Sequence, residues 1–550
     1  MDGSIKLELL NYADTSSIRG ISKFFKSKDA FLKTLWFLSF VVSMSFMIYL
    51  LDESVGRYNR RSITTRYGEK IGKNVQFPDI TLCNLDPFAE GYTGLPVSAF
   101  FASVRNHKNL VIDEYKKIME ANKNQSLKAI DVNKVFEKFD SVSGLILSLN
   151  KNRPKSDDCP NFITDCTIFD SDWFEIDSQC SAANFTRHWN ANYYTCYTLK
   201  TSDLQISNST IIRGLSLLIN IGPPNVVQIP YKSSLTNSQA RGVQVSVHNP
   251  DIPPDLRRGF SLASGTENII QIVQTDVIRQ NKAENKVSCT DKSKMPFQSS
   301  VKYNSDLCKD YCQQKIIQRK CGCMTHLLAI PEDEIDKAEL CGNFSAFFSF
   351  FIDSVPFNKV ICSLVNISQE DIDFCKKECL IPCNETKYDT YLSSATWPQP
   401  SVQMDIFRNF IKNCTGTHHD VRYRYRNYNE YDDYENQFKP LPIKNLTQIQ
   451  ESLLEIKFVM NQNSPNYQYE KFTYTWQVMT GNIGGMLSLW TGITVVSAVE
   501  VIELVYLVLK RWWKSKKLAP QAKEIKINED DEIKNPKNDF IVNFGNNDNQ

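Results

Sequence analysis

Two apolar runs interrupt an otherwise hydrophilic chain. From Phe472 to Val499, 28 residues carry no formal charge, more than the roughly 20 that a helix needs to cross a bilayer. Gly481, Gly484, Gly485, Ser488, Gly492, Thr494 and Ser497 punctuate the run at spacings that include three and four, which sets several of them on one helical face. Lipid offers no hydrogen bonds to exposed backbone or to ionised groups, so such a stripe must face protein or water. It predicts a pore lining, with close packing of helices through small residues as the plainer reading. Glu500 and Glu503 favour the pore, because a carboxylate pair at i, i+3 so deep in a span is costly unless it meets water or cations. Their alternative is a helix end reaching into headgroups beside Lys510 and Arg511.

The second run, Leu35 to Leu51, has 17 uncharged residues between Lys33 and Asp52, just long enough to span with Thr34. It begins too far into the chain for a signal peptide and no small-residue cleavage site precedes Asp52. Arg19, Lys23, Lys26, Lys28 and Lys33 precede it, while Lys510, Arg511, Lys514, Lys516 and Lys517 follow the other run. The excess of positive charge puts both termini in the cytoplasm. The expected order is a cytoplasmic segment over 1–30, a span over 31–52, an extracellular region over 53–471, a second span over 472–510 and a cytoplasmic tail over 511–550. From Ala519 that tail is rich in Asn, Asp, Glu and Lys and reads as disordered.

All 16 cysteines fall between residues 53 and 471; random placement would do this roughly once in a hundred trials, so an oxidising compartment is expected. Eight Asn-x-Ser/Thr sequons share the region, at Asn124, Asn184, Asn208, Asn343, Asn366, Asn384, Asn413 and Asn445, and are candidate glycosylation sites. A net charge of +1 implies no nucleic-acid partner, and a region this long is expected to form several subdomains. Cys308 and Cys312 are four apart, as are Cys375 and Cys379. On two antiparallel helices they could be joined as Cys308–Cys379 and Cys312–Cys375, each bridge stabilising by roughly 2–4 kcal/mol. A zinc site including Cys321-Gly-Cys323 is the alternative, though thiolate zinc sites are commoner inside cells.

These residues resemble the degenerin/epithelial sodium channel superfamily over nearly the whole chain. Phe77-Pro-Asp-Ile-Thr-Leu-Cys-Asn-Leu-Asp-Pro-Phe88 resembles the family's FPxVTxCNxNPF signature, and Cys196-Tyr197-Thr198-Leu199 its CYTFN segment with Leu for Phe. The cysteines from Cys308 to Cys323 and from Cys375 to Cys383 resemble those of its thumb domain, and the second span its GGxxxLWxGxSxLSxxExxE pore helix. The resemblance implies an α+β membrane protein with two transmembrane helices per subunit and a large disulfide-rich extracellular domain of palm, β-ball, finger, knuckle and thumb. It further implies a homotrimer or heterotrimer in the lipid of the plasma membrane. It suggests a finger-like region over about 90–190, a thumb region over 289–383, and the pairs Cys83–Cys196, Cys289–Cys383, Cys321–Cys362 and Cys323–Cys341 beside the two helix bridges. Cys159, Cys166, Cys180 and Cys414 remain, with three pairings open.

By the same resemblance Gly492-Ile493-Thr494 is the cation filter, with Thr for the usual Ser; a threonine keeps the hydroxyl and carbonyl that a partly dehydrated sodium ion needs. Gly481 stands at a gating position where a bulky residue should hold the pore open, and Ser488 where the blocker amiloride is thought to plug it. The cytoplasmic His-Gly motif reads Arg19-Gly20 here. Gly20 can still serve a tight turn, whereas Arg19 is a fixed cation that belongs to the positive belt before the span or lowers conductance.

No HExxH, GxSxG or GxxxxGK[ST] is present, so catalysis is not expected and no cofactor or metal is required beyond the permeant sodium ion. All six histidines lie in the extracellular region, but only His418 and His419 adjoin, which argues against proton gating. The chain is most similar to the invertebrate neuropeptide-gated branch, including FMRFamide-gated sodium channels. That implies an amiloride-sensitive, sodium-selective channel opened by an extracellular peptide, whose aromatic and basic groups an aromatic and acidic pocket within about 90–190 would recognise. A proton-gated or constitutively open channel is the alternative, and a two-span glycoprotein receptor the alternative from another class.

Overall fold

The structure, a computed structural model, describes Tyr12 and residues 21–86, 159–176, 180–190, 193–204, 211–224, 240–281, 289–296, 301–325, 327–331, 334, 339–341, 359, 362–363, 367–435 and 446–527. Two compact units emerge: Met1–Ile63 with Phe472–Gln550, and Thr64–Lys471.

In the first unit a short helix, Ile21–Lys26, precedes α1, Ala30–Arg60. Asp29 caps α1 by accepting from Phe31 N, and the helix ends where Arg61 turns left-handed at φ 44°. Its 31 residues span about 46 Å at 1.5 Å each. The helix thus extends eight residues beyond the boundary at 52 read from the uncharged run, and in that extension Arg57 pairs with Glu53 one turn back.

In the second unit the strands are β1 (Ile63–Glu69), β2 (Asp79–Asn84), β3 (Ile163–Phe169), β4 (Phe185–Asn190), β5 (Tyr194–Leu199), β6 (Gly214–Asn220) and β7 (Gly242–His248). There follow β8 (Phe260–Ala263), β9 (Thr266–Ile278), β10 (Cys289–Thr290), β11 (Ile381–Pro382), β12 (Asn384–Thr396), β13 (Leu453–Met460) and β14 (Asn466–Phe472). Seven form a mixed sheet in the order β1-β14-β9-β13-β6-β3, with β12 paired to β9. Five form an antiparallel sheet, β4-β5-β2-β7-β8. One core joins them, built from Ile80, Leu82, Leu199, Leu217, Ile219, Val243, Val245, Ile270, Ile272, Ile456 and Phe458. In β9 burial alternates along the strand, Asn268, Ile270, Ile272, Gln274 and Asp276 facing inward, as the period of two in a half-buried strand requires. All six residues of β2 are buried, because it lies inside the smaller sheet; its polar groups pair internally, Asp79 accepting from Thr201 N and Oγ1 at 2.9 Å and Thr81 meeting Thr198 at 2.7 Å. Gly265 turns β8 into β9 at φ 69°, and a Cβ there would sit 2.8 Å from the Gln450 carbonyl, so glycine serves both needs.

Helix α2 (Ser305–Cys321) begins at Asn304, whose side chain accepts from Asp306 N and Leu307 N, and α3 (Gln369–Glu378) begins at a reciprocal Ser368–Asp371 cap. Disulfides Cys308–Cys379 and Cys312–Cys375 join them. Gly322 ends α2 left-handed at φ 68°, and the flanking cysteines go separate ways, Cys321 to Cys362 and Cys323 to Cys341. Cys83–Cys196 crosslinks β2 to β5, and Cys289–Cys383 holds β10 near β11. Of the three pairings open to the remaining cysteines, the structure has Cys166–Cys180 and Cys159–Cys414. The second reaches a run of short helices between Gln403 and Glu435 whose core is Phe407, Ile411, Tyr425 and Tyr428.

Candidate functional site

The apolar run at the C-terminal side is two helices, not one. Phe472 ends β14; Thr475 then caps α4 (Trp476–Thr491) by accepting from Val478 N. The helix therefore starts four residues past the boundary at 472. After Gly492, Ile493 and Thr494 the chain resumes as α5 (Val495–Ile527), bent 70° from α4. The tail reading is amended likewise, since α5 runs on to Ile527. Residues 528–550 lie outside the described residues.

The break falls on the residues expected to form the filter. Gly492 closes α4 left-handed at φ 75°, its N–H donating to the Ser488 carbonyl at 3.1 Å. Thr491 Oγ1 donates to the Leu487 carbonyl at 2.7 Å and accepts from Ile493 N at 3.4 Å. On the far side Thr494 and Ser497 cap α5 reciprocally: Thr494 N donates to Ser497 Oγ at 3.1 Å, and Ser497 N to Thr494 Oγ1 at 3.4 Å. A helix that stops leaves its last carbonyls without intrahelical donors. Such oxygens are tolerated at membrane depth only against protein or a polar path, where they can replace a cation's water. Glu500 and Glu503 follow on α5, Glu503 exposed and Glu500 partly so. On α4, Gly481, Gly484, Gly485 and Ser488 are exposed, and a Cβ on any of the three glycines meets nothing within 4 Å.

Three residues that the pattern of charges did not single out hold the start of α4 against α1. Tyr474 OH lies 2.6 Å from Ser54 Oγ and accepts from Asn482 Nδ2 at 2.9 Å. Phe46 and Trp490 meet further along, their rings tilted at 56° with centroids 4.8 Å apart. Nothing in a single sequence pairs Ser54 with Tyr474, 420 residues away. The Thr494–Ser497 cap has the spacing of a capping box, with Ser where Glu or Gln is usual.

Of the other expected sites, Gly20 and residues 87–158 of the finger-like region lie outside the described residues, as do the sequons at Asn124, Asn208, Asn343, Asn366 and Asn445. Asn384 and Asn413 are exposed; Asn184 is partly buried and its Oδ1 accepts from Ser181 N at 2.8 Å.

A family model described as amiloride-sensitive sodium channel matches residues 12–504. Among curated proteins the chain is 22% identical to the FMRFamide-activated amiloride-sensitive sodium channel of Cornu aspersum, over 89% of this chain and 81% of that one. It is 20% identical to acid-sensing ion channel 4-B of Danio rerio, covering 92% and 76%, and 21% identical to the bile acid-sensitive ion channel of Mus musculus, covering 90% and 86%.

Proposed function

Because the chain belongs to the amiloride-sensitive sodium channel family, we propose that it assembles as a trimer, selects sodium at Gly492-Ile493-Thr494, and is opened by an extracellular neuropeptide of the FMRFamide type. Both termini lie in the cytoplasm in this reading. The observation that carries the ion pathway is the helix break at Gly492, which supplies carbonyl and hydroxyl oxygens in an otherwise apolar segment. Three subunits would bring three such breaks around one axis. Glu500 and Glu503 then concentrate cations on one side of the constriction, while the exposed glycines and Ser488 of α4 line the other and receive a cationic blocker. Gly481, near the start of α4, is where a gate would act. Peptide binding favours opening only by as much as it prefers the open shape.

Likeness to the Cornu aspersum channel supports the peptide, and the disulfides that knit the extracellular region support a stiff lever between peptide and pore. Current recorded from oocytes expressing this chain alone tests the reading. FMRFamide-evoked, amiloride-blocked current reversing near the sodium potential is expected. Current evoked by acid alone, or standing without a stimulus, replaces the peptide with the alternative stimulus; silence under every condition removes the homomeric channel.

A further inference from the structure

Beyond β3 the chain makes a hairpin that presents two aromatic residues to solvent. Ile176 N donates to the Ile168 carbonyl at 2.8 Å and Asp170 N to the Phe174 carbonyl at 2.9 Å. Inside the turn Asp170 Oδ1 accepts from both Asp172 N and Phe174 N at 2.9 Å. The Cys166–Cys180 disulfide closes its base. At the tip Trp173 and Phe174 are 54% and 71% exposed, although burying such side chains would stabilise by roughly 2–3 kcal/mol each. Trp173 also stands at φ 67°, a backbone region that a bulky residue occupies at a cost. The fold thus holds two large aromatics outward, on a turn fastened by a carboxylate and a disulfide.

The segment that carries them is acidic in sequence. From Asn161 to Thr186 the chain carries five carboxylates, Asp165, Asp170, Asp172, Glu175 and Asp177, and no lysine or arginine. A cation already uses the tryptophan ring: the Arg213 guanidinium lies 5.2 Å from its centroid, anchored to Asn463 Oδ1. With over half of Trp173 still exposed, ring surface remains for another cation.

We infer that the 168–176 hairpin is a docking surface for a basic, aromatic peptide, whose arginine lies against Trp173 and the carboxylates while an aromatic side chain packs on Phe174. This rests on the peptide-gated reading and names, for its ligand, a surface within the finger-like region. Aromatic anchors on a preformed turn lose little rotamer freedom on binding, and a negative field steers a positive ligand toward them.

The test is a concentration–response curve for FMRFamide in oocytes expressing the full chain, beside Trp173→Ala/Phe174→Ala and Asp172→Lys/Glu175→Lys, with surface labelling and native-gel size for each. The aromatic double variant is expected to shift the half-maximal concentration at least tenfold with unchanged amiloride block. The charge variant is expected to weaken FMRFamide severalfold and to leave a peptide with glutamine in place of arginine unaffected. Unchanged curves with normal surface expression overturn the inference, as does loss of the trimer band in both variants, which would make the hairpin a contact between subunits. If the aromatic variant fails to reach the surface, the charge variant decides alone. Failure of the peptide reading itself is told apart because it is seen in the unaltered chain, as absence of any FMRFamide current.

Discussion

Tyr474 and Ser54 share a hydrogen bond of 2.6 Å that joins the segment before α4 to the body of α1. Ser54 is 3% exposed. Asn482 Nδ2 donates to the same phenol oxygen at 2.9 Å, and between the two hydroxyls either oxygen can be the donor. Removing one partner strands the other in a dry place, at about 1–3 kcal/mol. Tyr474→Phe and Ser54→Ala should each lower the melting temperature of the purified channel. Their double variant should lose less than the sum, with a coupling of about 1 kcal/mol. Strict additivity would mean that the two hydroxyls do not interact.

Gly481 adjoins Asn482, and a Cβ there meets nothing within the subunit. Gly481→Phe should therefore fold, and its effect should appear in gating: a standing, amiloride-blocked current without peptide. A variant that reaches the surface and stays silent until peptide is added would remove Gly481 from the gate.

Thr494 has two roles that substitutions can separate. Thr494→Ser keeps the cap to Ser497 and the hydroxyl of the proposed filter; Thr494→Ala loses both, the cap alone being worth about 1 kcal/mol. Reversal potentials in mixed sodium and potassium should stay near those of the unaltered channel for serine and move toward zero selectivity for alanine. Equal potentials in all three would take the hydroxyl out of ion selection.

Acid should act on His248 before Asp276. Loss of surrounding water pushes His248 down to about 4, against the attraction of Asp79 and with added repulsion from His188, and its Nε2 lies 2.9 Å from Thr81 Oγ1. A folded pKa below the unfolded 6.5 means that the unfolded chain takes the proton first, so stability is present above pH 6.5 and falls as pH drops toward 4. Burial opposes ionisation of Asp276, but the ammonium groups of Lys73 and Lys70, at 2.7 and 3.1 Å, outweigh it and hold the carboxyl at about 2. Its contribution is present above about 3.8 and is lost only as pH falls through 2. Melting curves from pH 7 to 4 should show a decline that His248→Gln flattens and Asp276→Asn, though less stable throughout, does not. An unflattened decline would assign the acid sensitivity elsewhere.

Asn384 and Asn413, both exposed, should carry glycans if the region between the spans is extracellular. Peptide-N-glycosidase treatment should lower the apparent mass, and Asn384→Gln and Asn413→Gln should each remove one increment. A chain that the enzyme leaves unchanged would contradict the topology.

Much of this protein is local, and what is local was readable from its residues. Hydrophobic run length marks α1 and the pore segment, and the i, i+4 cysteines mark two helices that can be bridged. The pore segment nevertheless read as one continuous span, because charge and hydropathy do not register a backbone angle at Gly492. Only the tertiary structure decided what depends on chain closure: the pairing of Cys159 with Cys414 across 255 residues, the meeting of Ser54 with Tyr474, and the two lysines converging on Asp276. Each joins groups whose separation along the chain carries no periodic signal, and each is selected by the sheets and cores that bring distant segments together.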